Sequence, residues 1–93
     1  MLIESNRVSM IVRHVLDELQ KATHEHGAFR SAHEGFAVLK EEVDELCDEV
    51  RGRRSLENSG RMQQEAVQVA AMALRFLLDV CYEEITQVKN SIV

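Results

Sequence analysis

Glu65-Ala66-Val67-Gln68-Val69-Ala70-Ala71-Met72-Ala73-Leu74-Arg75-Phe76-Leu77-Leu78-Asp79-Val80-Cys81 is the stretch that decides the fold. At ~100° per residue its apolar members (Ala66, Val67, Val69, Ala70, Ala71, Met72, Ala73, Leu74, Phe76, Leu77, Leu78, Val80 and Cys81) cover almost the whole circumference of a helix. A helix apolar all round is buried on every side. Three helices of one small chain surround it poorly, so a second copy is expected to complete the burial. The small side chains of Ala66, Ala70, Ala71 and Ala73 let a neighbouring helix approach closely. The expectation is an all-α fold, an antiparallel helical bundle completed by homo-oligomerisation, as a homodimer or homotetramer with twofold symmetry favoured.

The rest of the composition agrees. A chain of 93 residues is one domain, and 45% hydrophobic with 29% charged residues suits a core in water. Only 4% is aromatic, so that core is aliphatic. Proline is absent, and each proline would cost a helix interior ~3 kcal/mol. The Val/Ile/Thr-rich alternation of strands is missing too. The longest uncharged run, Ala66 to Leu74, falls far short of the ~20 residues that span a bilayer, so no membrane association is expected. Charge interrupts the N-terminal Met1-Leu2-Ile3-Glu4-Ser5-Asn6-Arg7 almost at once, unlike a secretory segment. Cys47 and Cys81 are therefore expected to be reduced core thiols and the protein cytoplasmic.

Two further amphipathic stretches precede the apolar one. The first runs from about Glu4 to His26, with Val8, Ile11, Val12, Val15, Leu16 and Leu19 at helical spacing, and stops near Gly27. The second opens at Ser31-Ala32-His33-Glu34, a capping-box pattern, and runs to about Arg51-Gly52. A polar loop over Gly52 to Gly60 follows. The third helix begins around Arg61 and continues past Tyr82, with a break before a short terminal helix over Glu83 to Ile92 left open.

The formal charge of −5 is unevenly placed. Between Glu34 and Glu49 lie seven acids against one base, a net −6, leaving +1 elsewhere. This face would repel nucleic-acid phosphates unless cations intervened. On the second helix Phe36, Leu39, Val43, Leu46 and Val50 form one stripe, while Glu34, Glu41, Glu45 and Asp48 gather within ~60° on the opposite side. Glu42 and Glu49 sit at the edge of that arc. Glu65 and Gln68, three apart, share a face at the start of the buried third helix. A carboxylate entering an apolar environment is paired, protonated or bound to metal. Glu65 beside Glu42 and Glu45 would make an all-oxygen cage suited to Mg²⁺ or Mn²⁺, with a phosphorylated substrate as the natural partner.

Other chemistries lack their residues. Carboxylate-bridged di-iron bundles need Glu-x-x-His pairs, and the residues three before His14, His24, His26 and His33 are Ile11, Lys21, Thr23 and Arg30. No Gly-rich phosphate loop, Cys-x-x-Cys pair or convincing Ser/His/Asp set is present.

Glu41-Glu42-Val43-Asp44-Glu45 has the form E-E-x-x-E, and Glu65-Ala66-Val67-Gln68 stands where E-x-x-D is usual. With Ser31-Ala32-His33-Glu34-Gly35-Phe36 before it, this resembles the MazG-like all-α nucleoside triphosphate pyrophosphohydrolases, in a compact branch common in bacteriophages and bacteria. The resemblance covers roughly residues 29 to 80. It implies Mg²⁺-dependent hydrolysis of a (deoxy)nucleoside triphosphate between the α and β phosphates, giving a monophosphate and pyrophosphate, with two or more ions per site and Mn²⁺ able to substitute. Carried over, Glu42, Glu45 and Glu65 hold metal with Gln68 in the last place, and Glu41 completes a second metal site or acts as general base. Gln68 departs from the usual acid and brings no negative charge. Glu34 either joins the cage one turn below or serves only as a cap. Lys40, Arg75, Phe29 and His33 are candidate substrate contacts, with Arg53 and Arg54 as further phosphate clamps. The branch suggests purine deoxynucleotides such as dGTP or dATP.

Overall fold

The computed structural model describes residues 5–52 and 58–83, and the described chain folds into three helices, α1 (Ser5–His26), α2 (Ala32–Val50) and α3 (Asn58–Asp79), without a strand. The local chemistry explains each boundary. Gly27, at φ +72°, ends α1 and donates its N–H to the Thr23 carbonyl (3.0 Å). Gly52 ends α2 in the same way, at φ +68° with a 3.0 Å bond to the Glu49 carbonyl. A side chain at either position would have to adopt the left-handed region that glycine occupies at little cost. Ser31 caps α2 with an extended backbone, and its hydroxyl accepts the Glu34 N–H at 3.1 Å. The Glu34 carboxylate reaches one residue further back than the usual box and accepts from the Arg30 N–H at 2.9 Å.

The third helix differs from expectation at both ends. It starts at Asn58, three residues before Arg61, and stops at Asp79 instead of passing Tyr82. The chain turns at residues 80 and 81, and residues 82 and 83 are helical again, so the break left open in the sequence does occur. Arg53, Arg54 and the remainder of the terminal stretch after Glu83 lie outside the described residues.

α3 is the central element. It packs against α2 on one side and α1 on the other, while α1 and α2 make no close backbone approach to each other among the described residues. Val15 and Ala22 of α1, Phe29 of the α1–α2 connection, and Ala71 and Met72 of α3 form the buried core. Leu19, Val38, Leu39, Val67, Ala70, Leu74, Phe76 and Val80 pack around them. The chain itself thus covers α3 on two sides, and Ala71 is completely buried, but Leu77 and Leu78 remain about half exposed. Both cysteines are free and only half-buried, less deep than core thiols would be.

Arg75 ties the α1–α2 connection to this frame. Its guanidinium is buried, donates to the Gly27 carbonyl (2.6 Å) and to Met72 Sδ (3.4 Å), and lies 4.1 Å from the centroid of the Phe29 ring. One turn on, Asp79 accepts the Phe29 N–H at 2.9 Å. Gly35 is buried where α2 meets this cluster. A Cβ there would lie 2.7 Å from the Phe76 ring and 3.0 Å from that of Phe29, so the absent side chain sets how closely α2 and α3 approach.

The main departure from the sequence reading is the rotation of α2. The edge of its acidic arc, with Glu42, Glu45 and Glu49, turns towards α3, and the apolar stripe reaches the core through Leu39 while much of it stays open. Glu49 is 2% exposed, whereas Phe36, Val43 and Val50 of the stripe are 61%, 45% and 62% exposed. Helix periodicity identifies which residues share a face but says nothing of what the face packs against. Here the acids have oxygen and amide partners on α3.

Candidate metal centre

Glu42 and Glu45 are one turn apart on α2, and Glu65 comes from the first half of α3. Each offers an oxygen within 4.8 Å of the others. Oxygens bound at ~2.0–2.6 Å around one cation lie no more than ~4–5 Å apart, so these carboxylates need little adjustment to share a hard divalent ion. Gln68, one turn after Glu65, completes the group. With its amide oriented by its surroundings, Nε2 donates to Glu42 Oε2 (2.8 Å) and to Glu65 Oε2 (3.1 Å). The four residues proposed from the two motifs are therefore brought together.

The electrostatics follow from crowding like charges at a half-buried place. Burial, then repulsion from Glu45 and Glu65 together with shared hydrogen bonds, pushes the Glu42 carboxyl from 4.5 up to about 7. The Glu65 carboxyl is raised for the same leading reason, with hydrogen bonding to Glu45, the charge of Glu45 and the charge of Glu49 contributing, while a hydrogen bond to Glu42 pulls the other way. Glu49 is the residue that the motif reading missed. It is buried at the α2–α3 junction and acts electrostatically on Glu65. The signal was present as the three-then-four spacing Glu42-x-x-Glu45-x-x-x-Glu49, which puts these acids on one helix face.

The centre borders a groove of about 720 Å³ that runs between the end of α1, the α1–α2 connection, α2 and α3. Glu41, Glu42 and Gln68 line one part of it, and Phe29 and Arg75 another. Glu41 is exposed at the rim. Glu34 also lines the groove, but it stands outside the carboxylate cluster, with its oxygen engaged by the Arg30 N–H. Of the other candidate contacts, Arg75 and Phe29 belong to the groove wall, where both are mostly buried in the clasp described above. Lys40 points to Asp44 (3.0 Å) on the exposed side of α2, and His33 is exposed near the start of that helix. Neither is among the groove-lining residues. A smaller hollow of about 400 Å³ between α1 and α3 is lined by His14, Asp17, Lys21 and Gln64 among others, and neither the motif acids nor Gln68 are among its lining residues.

No helix among the described residues is long and apolar enough to cross a membrane. Searches of protein-family models, characterised proteins and solved structures find no match to this chain.

Proposed function

We propose that this chain is a metal-dependent pyrophosphohydrolase of (d)NTPs, cleaving between the α and β phosphates to give a monophosphate and pyrophosphate. The observation that carries the reading is the convergence of Glu42, Glu45 and Glu65 from two helices at the edge of a groove, with Gln68 bridging two of them. These three carboxylates would hold Mg²⁺, or Mn²⁺ in its place, and the Gln68 side chain would turn its amide oxygen to the ion or keep a bound water in position. A second ion would draw on Glu41. When bound, the ions neutralise the triphosphate and stabilise the charge that develops during its cleavage. Glu41, exposed at the rim, accepts the proton of the attacking water or orients that water. The groove receives the rest of the nucleotide, with purine deoxynucleotides as the substrates to try first.

In this reading the protein works in the cytoplasm of a bacterium or a phage-infected host, as a homodimer or homotetramer, without membrane or nucleic-acid partners. The test is pyrophosphate release from a panel of deoxynucleoside triphosphates with Mg²⁺ or Mn²⁺. Turnover of at least one is expected, and Glu45→Gln or Glu65→Gln should reduce it by ~100-fold or more, the scale on which loss of charge stabilisation acts. A folded protein that turns over none of them would refute the reading.

One observation favours a second reading, a nucleotide-binding or interaction module without turnover. The Gln68 amide, together with a proton on Glu42, can satisfy the cluster without any cation. That module predicts nucleotide or partner binding with no pyrophosphate released, so the same panel separates the two.

A further inference from the structure

α2 contains a second pattern that the metal centre does not use. Ala32, Phe36, Leu39, Val43, Leu46 and Val50 follow alternating spacings of four and three, the a/d seam of a coiled coil. At ~100° per residue they lie within ~80° of one another, and no charged side chain falls inside that arc. The seam is left open by the chain's own packing: Phe36, Val43 and Val50 are about half or more exposed, and Leu39 and Leu46 are only partly covered. The acids that face α3 lie off this seam.

The neighbouring helix extends the same surface. Ala66, Val69, Ala73 and Leu77 share one side of α3, turned away from the side on which Val67, Ala71 and Leu74 belong to the core shared with α1. Ala66 and Leu77 on that side are exposed. By helix geometry the α2 seam and this α3 side point the same way, opposite to the groove. The α2–α3 pair therefore presents an apolar face on its back.

We infer that this face binds a second copy of the same chain, with the two α2 helices antiparallel about a twofold axis that passes between the seams at the level of position 41. The seam is complementary to itself. In that register Ala32 meets the partner's Val50, Phe36 meets the partner's Leu46, and Leu39 meets the partner's Val43. Their reciprocals complete the seam, so every seam position between Ala32 and Val50 has an apolar layer. At the rim Lys40 comes within two residues, about 3 Å along the helix axis, of the partner's Asp44. Area agrees as well. The exposed parts of Phe36, Val43, Val50 and Leu77 amount to roughly 400 Å² per copy, and at ~65% apolar content two copies reach the lower end of the ~1,200–2,000 Å² that stable interfaces bury. The pairing leaves the groove open on the far side, and it holds independently of whether the carboxylates bind metal.

Sedimentation analysis of the full chain with matched variants tests this. The parent sequence should be dimeric or a multiple of dimers, whereas Val43→Glu and Leu39→Lys should each be monomeric while keeping helical circular dichroism. Mixing the two variants should restore a dimer. In the antiparallel register the new lysine faces the new glutamate in one layer, and the opposite layer keeps Val43 against the partner's Leu39. A parallel pairing would set the new charges against apolar residues and restore nothing. A monomeric parent would overturn the inference, and so would variants that remain dimeric. A mixture that stays monomeric would overturn the register, and with it the assigned pairing, even if the single variants fold less well than the parent.

Discussion

Glu42 stands between Glu45 on its own helix and Glu65 across the helix pair, and either a proton or a cation relieves the repulsion among them. Because burial and its neighbours raise this carboxyl from 4.5 to about 7, the folded chain holds a proton that the unfolded chain releases near 4.5. The stabilisation is fully present below the unfolded value and is lost as pH rises through about 7. Glu65, raised as well, acts in the same direction. Without divalent ions the melting temperature should therefore fall between about pH 5 and 7.5, and millimolar Mg²⁺ should recover it at the upper end. Glu42→Gln should flatten the profile, and thermal melts across this range that show no slope for the parent would contradict the electrostatic account. Gly35 makes a separate prediction at the same scale. Gly35→Ala forces the Phe76 ring to move from a Cβ 2.7 Å away, so it should cost about 1–3 kcal/mol in urea unfolding. Phe76→Leu in that background should recover part of the loss.

At the scale of the elements, much of the architecture was legible. Absence of proline, the Ser31 cap and the stops at Gly27 and Gly52 sufficed to divide the chain, because capping and left-handed glycines act locally. The two acidic motifs also sufficed to bring Glu42, Glu45, Glu65 and Gln68 together. Two things were not legible. The rotation of α2 depends on what α3 offers it, and the exposed Phe36, Val43 and Val50 are intelligible only once Glu42, Glu45 and Glu49 are seen to be taken up at the helix junction. The clasp made by Arg75 joins residues 48 apart in sequence, and a lone arginine in an apolar run gives no sign of its acceptor. Its consequence is testable. Arg75→Met should leave the Gly27 carbonyl without its donor, cost about 1–3 kcal/mol, and speed amide exchange at Phe29. Exchange at Phe29 unchanged from the parent would mean that the connection between α1 and α2 is held by other contacts.

At the scale of the molecule, the described helices give α3 cover on two sides and leave at least two apolar surfaces open. One is the back of the α2–α3 pair. Another lies on α1, where Val8, Ile11, Val12 and Leu16 are exposed. In the proposed assembly, a dimer becomes a tetramer if the α1 surface is covered in addition. The proposal that a small chain completes its core with a copy of itself now rests on a different helix. The apolar all-round α3 suggested it, but the larger unpartnered seam belongs to α2. In the proposed account one helix serves two purposes, since its acids face the groove side and the helix junction while Phe36, Val43 and Val50 face outward. The central claim is that the acids turn inward to hold a divalent cation. Calorimetric titration of Mn²⁺ into the folded chain and into Glu65→Gln tests it most directly. At least one ion per chain should bind the parent and binding should be lost in the variant, whereas no binding to the parent, or equal binding to both, would contradict the account.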